Sequence, residues 1–131
     1  LKTLNGMEPY FNKNYIFNIN LIFSDKKKIS KLNKKFKNKH QDTDVLTFVS
    51  NILNKDLGKT LYCDIFFSID TIESFIKQNN ITLYDHYNHL LIHSILHVNG
   101  YDHKNLNQFN KMKKEEIKIL NKFCIKNPYI N

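Results

Sequence analysis

The chain has 131 residues and a net charge of +8, with 41% hydrophobic and 24% charged residues, three glycines and two prolines. This suffices for one ordinary domain burying roughly two-thirds of its unfolded surface, and it is too apolar for a disordered chain. No apolar run approaches the roughly 20 residues of a membrane span.

All 20 basic residues are lysine; Arg, Ala and Trp are absent, while Asn reaches 19 and Ile 16. Such a skew fits an AT-rich coding sequence, so bulk charge is a weak guide to partners. It still favours an anionic partner such as nucleic acid. Cys63 and Cys124 form no CxxC and are too few to staple the chain, so they are expected as reduced, buried thiols. The chain opens on Leu1 rather than Met, as a processed or trimmed piece would.

Residues 1–14 are polar and read as an irregular segment before a single domain over 15–131. From Tyr15 to Phe23 the run alternates, with Phe17, Ile19, Leu21 and Phe23 on one side, which predicts a strand with one apolar face. Ser24-Asp25 offers an N-cap for a helix over about 25–37, with Ile29, Leu32 and Phe36 facing inward. Residues 45–49 and 61–67 are β-rich, separated by a polar loop at 50–60.

Ser68 or Asp70 caps a helix to about residue 78. Two more helices follow, over about 82–98 with Asn99-Gly100 as its C-cap, and over about 105–124. The last helix is expected to face inward through Phe109, Met112, Ile117, Leu120 and Phe123. Strands early and helices late make the class α+β, a small mixed β-sheet packed with helices.

The segment HSILHVNGYDH, residues 93–103, carries the chemistry. His93 and His97 are one helical turn apart on one face, and Gly100 lets the chain reverse and return His103 beside them. Three imidazoles and one open position form the layout of a catalytic zinc site. His89 lies on the same face, but three turns span roughly 12 Å, too far for one ion to use the whole row. It is assigned to the surface or to a nearby pocket wall.

A zinc-protease helix requires glutamate directly after its first histidine, where this chain has Ser94. Asp102 could orient a ligand imidazole or cap the next helix.

HSILHVNGYDH resembles the H-G-x-L-H-L-x-G-Y-D-H signature of the YbeY family, metal-dependent single-strand-specific endoribonucleases of ribosomal RNA maturation. LNKKFKNKHQDTDVLTF (32–48), LYCDIFFS (61–68) and the Asn127-Pro128-Tyr129 ending are also similar to family blocks, so the likeness covers about residues 15–130. It implies one Zn2+ per chain on His93, His97 and His103. It also implies single-stranded or ribosomal RNA as substrate, the small ribosomal subunit as partner, and no membrane.

Departures are Ser94 and Cys63 for glycines, Val49 for a proline, and Lys37 for an arginine implied to contact RNA near the metal. The Ser94 side chain is expected to tighten contact with a neighbouring strand. Lys37 keeps the charge but replaces a planar fork with a point charge. The region before the first strand is shorter than in typical members, implying an altered N-terminal element.

On this resemblance the expected reaction is phosphodiester cleavage, with zinc polarising a phosphate oxygen or acidifying a water, and Lys37 holding the phosphate. Lysines 26, 27, 28, 31, 34, 35, 37 and 39 would form an outward basic face, either an RNA track weakened by salt or a solvated surface. The competing expectation is a ribosome-assembly or RNA-binding factor with a structural metal and little catalysis. The expected compartment is intracellular: a bacterial cytoplasm, plastid or mitochondrion.

Overall fold

The computed structural model describes residues 2–37, 44–54 and 58–129, with the side chains of 36, 37, 51–54 and 58 outside that description. The residues group into two compact units, one of Lys13–Leu83 and the other of Leu1–Asn12 with Tyr84–Asn131.

In the Lys13–Leu83 unit the alternating run forms strand β1 (Tyr15–Ser24), followed by α2 (Lys26–Lys37), β2 (Val45–Asn54), β3 (Gly58–Ser68) and α3 (Ile69–Asn79). The sheet order is β1-β3-β2, with β3 parallel to β1 and antiparallel to β2. This is the mixed sheet expected of the α+β class. The central strand buries Leu61, Cys63, Ile65 and Phe67, alternate residues on one face. On the other face Asn20 donates to Asp64 across the β1–β3 pair at 3.0 Å.

Two details differ from expectation. Phe23 is 55% exposed at the strand end, where its ring stacks on Phe67 at 5.4 Å between centroids. Most of the expected 50–60 loop is strand, because ladder hydrogen bonds use the backbone and continue from Asn51↔Leu61 to Asn54↔Gly58. Helix caps follow the sequence: Asp25 Oδ1 accepts from Lys28 N at 2.7 Å, and Ser68 Oγ accepts from Thr71 N at 3.4 Å.

The other unit holds α1 (Lys2–Gly6), a 3-10 turn (Glu8–Tyr10), α4 (Leu83–Val98, whose first residue falls in the preceding unit) and α5 (Leu106–Lys122). The segment read as irregular is therefore partly helical. It is too short to display a period, and tertiary contacts hold it. Thr3 and Met7, one turn apart, are buried, and the Thr3 hydroxyl donates to Asn88 Oδ1. A side chain at Gly6 would collide with the Phe123 ring.

α4 is buried around most of its circumference, leaving His89, His93 and His97 in a partly exposed line. α5 buries Met112, Glu116, Ile119 and Leu120, whereas Phe109 is 40% exposed. Reading only apolar residues rotated the expected face, because a carboxylate occupies one inward position. Among the described residues no helix is long and apolar enough to cross a membrane.

Candidate metal centre

The end of α4 sets the site. Gly100 takes φ +101°, Gly100 N bonds His97 O at 3.1 Å, and Tyr101 N bonds Leu96 O at 3.0 Å. This is a Schellman turn with glycine in the left-handed position, and it reverses the chain within three residues of His103. Asn105 then caps α5, its Oδ1 accepting from Gln108 N at 2.9 Å.

The reversal brings His93, His97 and His103 together, with one possible ligand atom from each all within 4.8 Å of one another. The Nε2 atoms of His93 and His97 face each other at 3.0 Å. Two nitrogens on one tetrahedral zinc stand about 3.4 Å apart, given bonds near 2.0–2.1 Å. Ring centroids of His103 lie 5.4 Å from His93 and 4.7 Å from His97. These three side chains could hold a metal ion.

Burial, then the neighbouring His93 and His103, lowers the His97 pKa to about 4, so its imidazole is neutral at pH 7. A neutral ring is what a metal requires. His103 is exposed, leaving the group open on one side. A cleft of about 340 Å³ adjoins the turn, lined by Asn99, Gly100, Tyr101, Asp102, Gln108 and Lys111.

Beneath the histidines stands Glu116, 1% exposed, which the sequence reading passed over. Its Oε1 lies 2.6 Å from His93 Nδ1, and its Oε2 accepts from the Tyr129 hydroxyl at 2.5 Å. His89 Nε2 approaches Oε1 at 3.5 Å without forming a hydrogen bond. Burial raises the Glu116 pKa, but His89, His93 and the tyrosine outweigh it and hold the carboxyl at about 2. Burial and the same carboxylate push the Tyr129 hydroxyl well above its ordinary value. The available signal was spacing: Glu116 falls four residues after Met112 and three before Ile119, on the buried stripe.

Asp102 neither orients an imidazole by hydrogen bond nor caps α5. Its Oδ1 accepts from His103 N at 2.8 Å and its Oδ2 lies 3.7 Å from Lys104 Nζ, because the tight turn keeps the short side chain local. Ser94 is buried, and its hydroxyl turns back to Leu90 O of its own helix at 2.9 Å. Cys63 is buried but Cys124 is exposed, since it takes the left-handed position just past α5 at φ +59°. Lys37 ends α2, with its side chain outside the described residues, as are Lys39 and the block around it.

Residues 2–124 match the family model described as Endoribonuclease YbeY. Proteins of that name from Buchnera aphidicola subsp. Baizongia pistaciae and Ehrlichia chaffeensis are 40% and 36% identical over 106 and 115 residues, covering 81% and 86% of this chain and 68% and 71% of theirs. One from Francisella tularensis is 33% identical over 126 residues, 91% of this chain and 74% of its own. A solution structure from Thermotoga maritima superposes with a TM-score of 0.55 at 23% identity, covering 99% of this chain and 88% of that one. That structure bears on the fold alone.

Proposed function

This chain belongs to the endoribonuclease YbeY family, and from that premise we propose that it cleaves single-stranded RNA at a zinc centre held by His93, His97 and His103. The observation that carries the reading is the three imidazoles gathered by one glycine-terminated turn, with one possible ligand atom from each within 4.8 Å of the others. An all-imidazole set of donors suits zinc better than the oxygen-seeking magnesium or calcium.

When bound, zinc supplies Lewis-acid stabilisation of phosphate charge and acidifies a water. The chain does the positioning. His97, neutral at pH 7, offers its lone pair without first losing a proton. His93 offers Nε2 because Nδ1 is engaged by Glu116. The exposed His103 leaves the approach open to a polymeric substrate. Lys37, where the family has arginine, attracts the phosphate as a point charge.

We take residues 15–131 as one functional domain, and ribosomal RNA during maturation as the substrate, with the small ribosomal subunit as partner. We take the setting as intracellular, a bacterial cytoplasm or an organelle; the bacterial source of the relatives favours the former.

The test compares single-stranded and duplex RNA with zinc-loaded wild type, His97→Ala and Lys37→Ala. Wild type cleaves the single strand and spares the duplex; His97→Ala loses about 100-fold or more, and Lys37→Ala about 10- to 100-fold. Equal cleavage by wild type and His97→Ala identifies a contaminant and removes the enzyme reading. Binding without cleavage favours the assembly factor with a structural metal.

A further inference from the structure

We propose that Glu116 is a positioning residue for the metal centre, and that Tyr129, from the segment after α5, holds Glu116 in place. The assignment rests on the zinc reading above and adds residues outside the three-histidine signature.

A carboxylate on the buried stripe of α5, between Met112 and Ile119, stands where an apolar side chain would be the default. Each of its oxygens has a hydrogen-bond partner, His93 Nδ1 on Oε1 and the Tyr129 hydroxyl on Oε2. An ionised carboxylate can only accept hydrogen bonds, so at 2.6 Å the proton lies on His93 Nδ1. That fixes the tautomer and leaves the Nε2 lone pair free, on the atom facing His97 Nε2 at 3.0 Å. The carboxylate thereby selects which nitrogen of His93 meets the ion and sets the ring plane.

The second oxygen is fixed from the other side. Past α5 a Schellman turn, with Cys124 in the left-handed position and Ile125 N on Leu120 O at 3.0 Å, sends the chain back along the helix. Asn127 Oδ1 accepts from Tyr129 N at 2.8 Å, closing an Asx turn that presents the tyrosine. The Tyr129 ring meets His89 edge-on at 5.7 Å and Phe109 at 6.4 Å, under Lys113 Nζ at 4.9 Å. Its hydroxyl then donates to Glu116 Oε2. The residues after α5 are thus tied to a metal ligand through one carboxyl group.

Two measurements test this, on wild type, Glu116→Gln and Tyr129→Phe. In the metal-free protein at pH 8, long-range imidazole 15N NMR reports the His93 tautomer. Wild type is expected as Nδ1–H, and Glu116→Gln as a mixture. Zinc affinity, by competition with a chromophoric chelator, is expected to fall about 10- to 100-fold in Glu116→Gln and by a smaller factor in Tyr129→Phe. Tyr129→Phe removes one oxygen and serves if Glu116→Gln does not fold. An Nε2–H tautomer in wild type, or wild-type affinity in the folded variants, overturns the inference and leaves the zinc site standing. Wild type that binds no zinc fails the underlying reading, whereas the tautomer result still judges the positioning claim.

Discussion

Glu116 places an acceptor-only group against His93, with His97 beyond it as a neutral base, and both groups make stability depend on acidity. The folded pKa of His97 is depressed from 6.5 to about 4, chiefly by burial, so the unfolded chain binds more protons between those values. Glu116 is depressed from 4.5 to about 2, and the unfolded chain again binds more protons across that window. Stability rises with pH wherever the unfolded state is the more protonated. Metal-free protein should therefore lose stability as pH falls from about 6.5, through the His97 window and then the Glu116 window. Urea midpoints between pH 7.5 and 3 check this, and His97→Ala should flatten the upper part of the curve. A midpoint constant from 7 to 4.5 would contradict it.

The three histidines were legible as a group because their spacing encodes one helix face and one reversal. Glu116 was legible only as a position on a stripe, since nothing in the residues marks a glutamate as inward. Its partners come from residues 13 positions away or more, so the contact is a product of tertiary packing.

At the scale of elements, the end of α4 is the feature on which the centre depends. Gly100 has φ +101°, and a side chain there would meet nothing within 4 Å, so substitution is opposed by backbone conformation alone. Gly100→Ala should destabilise the metal-free chain by about 1–2 kcal/mol. It should also weaken zinc binding, by shifting His103 against the helical pair. Denaturant titration and chelator competition measure the two effects; an unchanged midpoint would argue against the left-handed turn.

Helices α2 to α5 and all three strands were visible in periodicity and caps, within a few residues. What escaped had a common physical origin. The β2–β3 ladder extends through polar residues because backbone groups alone form it, and α1 exists through the burial of Thr3 and Met7 rather than through propensity. The α5 face was misjudged because hydrophobicity is a proxy for inwardness that a hydrogen-bonded Glu116 violates.

For the molecule as a whole, a net charge of +8 whose 20 basic residues are all lysine says less than the sites where lysine stands. One such site is Lys37, which the proposed function sets against the phosphate as a point charge. The α+β class and the mixed sheet follow from element order, whereas the grouping of residues 1–12 with the later helices needed three dimensions. The proposed RNA cleavage depends on a metal held by the three histidines. The most direct test is elemental analysis of chain purified without chelator, with His97→Ala alongside. The expected result is about one zinc per wild-type chain and a value near zero for the variant. Wild-type chain that carries no zinc and takes none up on titration would contradict the account at its centre.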